Sequence, residues 1–142
     1  MSDQPSYSVS VAGVVVGSDG RVLVIKRRDN GDWQPPGGIL EMGETIQHGV
    51  RREVWEETGL DVEPEVLTGV YKNMSRGIVS LVFRCRMLDG TPRTTDEAQA
   101  VQWVTENEVK SLVTEAFAVR ILDSINYAGA PAVRDHDGVN LL

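Results

Sequence analysis

Cysteine is nearly missing from this chain of 142 residues, where Cys85 stands alone. A framework of intramolecular disulfides is excluded, although a bridge to another chain is not. The thiol falls in the strand-like run SLVFRCRML and reads as a buried or half-buried structural group. Excess positive charge is absent too. Fourteen lysines and arginines face 21 aspartates and glutamates, giving a net charge of −7 and a pI near 4.8. Non-specific binding to nucleic acid or to an anionic membrane surface is disfavoured, because either partner would be repelled. No apolar run approaches the ~18 residues of a membrane span. The opening MSDQPSYS has neither the basic stretch nor the apolar run of a signal peptide. The expectation is a soluble cytoplasmic protein with no membrane partner and no stable nucleic-acid partner. Its two histidines, His48 and His136, lack ligand-like spacing and read as surface residues. No internal repeat or linker divides the chain.

What is present suits one domain. The chain is long enough to bury about two thirds of its unfolded surface, so its core needs no disulfide or metal staple. Tyr7–Gly17 and Arg21–Arg28 read as strands rich in β-branched residues, joined at an Asp19-Gly20 hairpin turn whose two positions want positive φ. DNGDWQPPGG reads as a loop, since its prolines and glycines break regular structure. Thr45–Thr58 reads as a helix with Ile46, Val50 and Val54 on one stripe and Gly59 as its stop. Strands follow at about Val66–Tyr71, Ile78–Met87 and Ala100–Val104, with a polar loop at Thr91–Ala98. Thr105-Glu106-Asn107-Glu108 has the form of a capping box and opens a helical stretch to about Tyr127, with a break near Thr114. Residues 1–127 are the expected domain, and 128–142 an irregular or partly disordered tail. This order predicts an α/β fold, a mixed β-sheet flanked by helices on both faces.

The negative charge is concentrated. Eight of the 21 acids lie between Glu41 and Glu65, against only Arg51 and Arg52. On a helical wheel Glu53, Glu56 and Glu57 share one face, beside the apolar stripe rather than opposite it. Like charges so placed repel unless a cation covers them. Partly desolvated carboxylates offer only oxygen, which suits Mg²⁺ or Mn²⁺. Arg52, four residues before Glu56, is positioned to hold that carboxylate.

Gly38, five residues, Glu44, seven residues, then Arg52-Glu53-Val54-Trp55-Glu56-Glu57-Thr58-Gly59-Leu60 fill every defined position of a 23-residue pattern. This segment resembles the Nudix box. The surroundings are similar as well: a strand ending in Arg27, a Gly-Asp-Trp approach, Pro36-Gly37-Gly38 before the box, and Trp103 in a late strand. The resemblance covers about residues 7–127. It implies an α/β/α sandwich and hydrolysis of a nucleoside diphosphate linked to a moiety X. Glu53, Glu56 and Glu57 would be metal ligands, Gly38 would offer a backbone carbonyl, and Arg52 would orient a box glutamate. Glu44 would brace the loop. A further carboxylate often precedes the late strand in this family, and Glu97 is the candidate, with Asp96 its rival.

The implied chemistry explains the residue types. Divalent ions neutralise a polyanionic diphosphate and lower the pKa of a bound water, and a spare carboxylate, Glu56 or Glu97, takes the water's proton. Water attacks phosphorus, leaving a nucleoside monophosphate and pyrophosphate or a phosphorylated X. Arg27 and Arg28 are candidates for a phosphate contact, Trp33 for a base stack, Gly37 for the phosphate loop, and Tyr71 and Arg76 for the pocket wall. The short chain resembles MutT-like members, which favours a nucleoside triphosphate, normal or oxidised. Ser75–Ile78 carries neither the proline of some ADP-ribose hydrolases nor the tyrosine of some dinucleoside-polyphosphate hydrolases, and both substrates drop in rank. Gln34-Pro35 departs from the apolar residue often found before the box, which leaves base selectivity open. A nucleotide-binding sensor without turnover, a hydrolase of nucleotide sugars or ADP-ribose, and a cysteine-dependent isoprenoid isomerase are the alternatives. A homodimer stays open.

Overall fold

The computed structural model describes residues 6–142. Eight strands and three helices follow one another among them. They are β1 (Ser8–Val16), β2 (Val22–Arg27), β3 (Trp33–Gln34), β4 (Gly37–Ile39), α1 (Ile46–Thr58), β5 (Asp61–Asn73), β6 (Ile78–Asp89), β7 (Ala98–Val104), α2 (Glu106–Leu112), α3 (Glu115–Ile125) and β8 (Ala132–His136). No helix among the described residues is long and apolar enough to cross a membrane.

Alternation along β1 builds the centre. Val11 and Val15 point to one face of the sheet, Ala12 and Val14 to the other, and all four are buried. A strand covered on both faces reads as a near-continuous apolar run, which is what the sequence shows. On the first face Val11, Val15 and Leu23 meet Val50 and Val54 of α1. On the second Ala12, Val14, Val22 and Val24 meet Val109 of α2 and Ala118 and Ile121 of α3. The result is an α/β/α sandwich. Gly13 permits the closest approach of α1, since a Cβ there would lie 2.7 Å from Val54 Cγ2.

The sheet runs in the order β3-β2-β1-β6-β5-β8, with β4 on β1 and β7 on β2. Its spine is a parallel pair, β1 with β6, in unbroken register from Ser8↔Ile78 to Val16↔Arg86. The other pairings are antiparallel except β5 with β8, so the sheet is mixed.

Several expectations are corrected. The 29–38 loop contains two short strands, β3 and β4. Gly37 can pair with Ala12 because it has no side chain, and a Cβ there would collide with Val11 O. The β1–β2 turn has positive φ only at Gly20 (84°), and Asp19 instead accepts the Arg21 N–H at 3.1 Å. Ile46, at the start of the apolar stripe, is 42% exposed, and burial on α1 begins at Gly49. β5 starts at Asp61 and passes through Pro64, where the register with β6 shifts. The tail contains β8, parallel to β5 from Gly69↔Ala132 to Asn73↔His136. Arg134 ties it to α3 through two 2.8 Å bonds to Asp123. His136 is fully buried rather than superficial. Its Nε2 lies 3.0 Å from Arg120 Nη2, and its Nδ1 accepts the Gly138 N–H. His48 is exposed.

Candidate active site

Helix α1 is fixed at both ends before any carboxylate is placed. Thr45 caps its start by accepting the His48 N–H at 3.2 Å. Gly59 closes it in the left-handed conformation, φ 81°, donating its N–H to Trp55 O. Val50 and Val54 clamp the helix to β1, and this presses Glu53 and Glu57 toward β4. Both are nearly enclosed, at 7% and 2% exposure. Gly37 donates its N–H to Glu57 Oε1 at 2.6 Å. Gly38 lies directly against Glu53, where a Cβ would fall 2.6 Å from Oε2. The Pro-Gly-Gly approach therefore supplies backbone that nothing bulkier could bring so close.

The third carboxylate arrives from across the sheet. Glu97 precedes β7 in a segment folded on Thr95, whose hydroxyl accepts the N–H groups of Glu97 and Ala98. Arg28 fastens that segment to the end of β2, through its N–H to Glu97 O at 3.0 Å and its Nε to Thr95 O at 2.9 Å. One carboxylate oxygen each from Glu53, Glu57 and Glu97 then lies within 4.8 Å of the others. Burial pushes Glu57 up to about 8, with the charges of Glu53 and Glu97 adding to it against the Gly37 hydrogen bond. Burial also raises Glu53, opposed by Arg52 and reinforced by Glu56 and Glu97. The group is thus short of positive charge, and a hard divalent cation fits its all-oxygen donor set.

Arg52 organises the remaining acids. Its Nε and Nη2 clasp Glu44 at 2.8 and 2.6 Å, and its Nη1 reaches Glu53 at 2.8 Å and Glu56 at 3.2 Å. Glu44 also accepts the Glu41 N–H, bracing the loop before α1. Hydrogen bonding to Arg52 holds the Glu44 carboxyl near 2. Glu56 shares the helix face predicted for it, but Arg52 draws its half-exposed carboxylate aside, outside the 4.8 Å group. It lines instead a cavity of about 420 Å³ with Arg93, Thr94, Thr95, Asp96 and Glu97.

The other predicted contacts fall in varied places. Arg27 closes its guanidinium on Asp29, with bonds of 2.8 and 2.6 Å, within electrostatic reach of Glu57 and Glu97. Trp33 is half-buried and packs against the core beneath α2 and α3. Tyr71 does not line a pocket: it is fully buried and donates to Asp123 at 2.8 Å. Its place in β5 directs it to the core face that α3 covers. Arg76 lies exposed in the β5–β6 turn, held through its N–H on Asn73, and is absent from the acid group and its cavity. Asp96 lines the cavity without joining the acid group. Arg93 was not anticipated, because a lone arginine in a polar loop carries no periodic or motif signal. Burial pushes the Cys85 thiol up to about 12, which leaves it unsuited to nucleophilic work.

Buried glutamates on a capped helix, facing a glycine strand of a mixed sheet, define the architecture. A family model for the NUDIX domain matches residues 6–124, and the chain belongs to this family of pyrophosphohydrolases. A MutT-like protein of Streptomyces ambofaciens is 57% identical over 138 residues, covering 97% of this chain and 89% of that one. An ADP-ribose pyrophosphatase of Methanocaldococcus jannaschii is 34% identical over 112 residues, covering 74% of this chain and 66% of the relative. A NUDIX hydrolase structure from Nitrosomonas europaea matches the fold with a TM-score of 0.78 at 24% identity, over 94% of this chain and 81% of the other.

Proposed function

We propose that this protein hydrolyses a nucleoside triphosphate or a related nucleotide in the cytoplasm, by attack of water at phosphorus and with Mg²⁺ as the metal. The observation that carries the reading is the convergence of Glu53, Glu57 and Glu97 within 4.8 Å. These three would hold the metal, with the Gly38 carbonyl as a further ligand and Mn²⁺ as an alternative ion. The metal, when bound, neutralises the diphosphate and acidifies a water. The chain's own groups do the rest. Arg52 opposes the burial that raises Glu53 and orients its carboxylate, and the Gly37 N–H holds Glu57 in place. Glu56 and Glu97, both lining the cavity, are the candidates to accept the proton of the attacking water. The products would be a nucleoside monophosphate and pyrophosphate.

ADP-ribose is the second reading, favoured by the Methanocaldococcus relative. A sensor without turnover is disfavoured by the complete set of box acids. A hydrolysis screen with Mg²⁺ over nucleoside triphosphates, nucleotide sugars, ADP-ribose and dinucleoside polyphosphates tests all three. Turnover of a triphosphate, abolished by a chelator, is expected. Tight binding of a nucleotide with no turnover of any would turn the assignment to a sensor.

A further inference from the structure

Arg93 is held on several sides but, among the described residues, has no carboxylate partner for its charge. Its N–H donates to Thr58 O at 2.8 Å, which anchors the β6–β7 loop to the end of α1. Its guanidinium stacks over the Trp55 ring, 5.5 Å from the centroid. Its stem lies on Gly59, where a Cβ would meet Cγ and Nε at 2.8 Å. Among the described residues, no carboxylate lies within 4.0 Å of this guanidinium and none of its N–H groups is spent on a hydrogen bond. Of the other arginines near the site, Arg27 pairs with Asp29 and Arg52 with Glu44, Glu53 and Glu56, while Arg28 spends its Nε on Thr95 O and, among the described residues, likewise has no carboxylate partner. Among the described residues, Arg93 is the one cation lining the cavity that it shares with Glu56, Asp96 and Glu97.

An exposed guanidinium stacked on a ring, with its donors free, suits a planar, two-point contact with phosphate oxygens. Stacking on Trp55 reduces the rotamer freedom that such a contact would otherwise have to quench. Glu97 belongs both to the acid group and to the cavity wall, and Arg93 lines the same cavity from past the end of α1, against Thr58 and Gly59. We infer that Arg93 binds a phosphate group of the substrate beyond the diphosphate under attack, so that X is itself anionic. This rests on the hydrolase reading and narrows it to polyphosphate chains over neutral sugars.

The test measures binding and turnover together. Calorimetry with Mg²⁺ compares the α,β-methylene analogue of ATP with UDP-glucose on wild type, Arg93→Gln and Arg93→Lys. Arg93→Gln should weaken the analogue about tenfold, the scale of one lost charge-assisted contact, and change UDP-glucose less than about twofold. Arg93→Lys should recover part of the loss. In turnover, KM for the triphosphate should rise about tenfold in Arg93→Gln with kcat within about threefold. Equal weakening of both ligands would make Arg93 a loop support and overturn the inference. Unchanged analogue binding, or no analogue binding by wild type, would overturn it as well. Arg93-dependent binding without turnover would sustain it while removing the hydrolase reading.

Discussion

Replacing Glu57 with Gln should stabilise the metal-free protein, although it removes a residue placed at the centre of the site. Glu57 is 2% exposed and its carboxyl is pushed up to about 8, against an ordinary value of 4.5. The folded state therefore holds a proton that the unfolded state has already released, and stability falls as pH rises from about 4.5 to about 8. At pH 7 the cost is about 3 kcal/mol, from 1.36 kcal/mol per unit over the interval between 4.5 and 7. Glutamine has the shape of the protonated acid and keeps an oxygen for the Gly37 N–H. In EDTA the variant should match wild type near pH 4 and exceed it at pH 7, by a melting-point difference on the order of 10 °C. With Mg²⁺ at about 1,000 times Kd the order should reverse, since only wild type gains the full binding energy, which is about 4.1 kcal/mol there. The assay is thermal unfolding followed by circular dichroism at several pH values, with and without metal. A metal-free variant less stable than wild type at pH 7, or a difference that does not vary with pH, would refute the argument that burial makes this carboxylate costly.

Arg52→Met keeps the aliphatic stem but strips the guanidinium from Glu44, Glu53 and Glu56, and should cost about 3 kcal/mol in urea unfolding at pH 7. A loss under about 1 kcal/mol would mean that the ion-pair network is not supporting the helix. Gly38→Ala should lower Mn²⁺ affinity at least about tenfold by calorimetry, because its Cβ would strike the Glu53 carboxylate. Gly43→Ala, with nothing within 4 Å of its Cβ, is the matched control and should leave affinity unchanged.

The helix that carries the acids was legible because its signals are local. Thr45, Gly59 and the spacing of Val50 and Val54 mark its ends and its buried face within fifteen residues. The wheel could not separate Glu56 from its neighbours. Their angles are similar, but Arg52 draws Glu56 outward while β4 encloses Glu53 and Glu57. The strands that were missed owe their existence to distant partners. β4 consists of residues read as breakers, and it forms because β1 offers a ladder that only glycine can approach. β8 is a short run among Gly, Pro and Asp, and depends on β5 far earlier in the chain. Tyr71 reads from the sequence as a candidate for the pocket wall, yet strand parity sends it to the face of the sheet that α3 covers.

The acids of the site come from two supports with different constraints. Glu53 and Glu57 sit on a helix wedged against the central strands, where almost any substitution nearby disturbs packing. Glu97 and Arg93 sit on an exposed segment after β6, tied down by a few main-chain contacts. Sequence drift is cheap in such a segment and expensive in the helix. Divergence around Arg93 can therefore revise which molecule is held while the helix and its acids stay as they are. A lineage could change diet while keeping its teeth, and selection for a new ligand would leave its trace between residues 90 and 96 before it touched Glu97 or the helix.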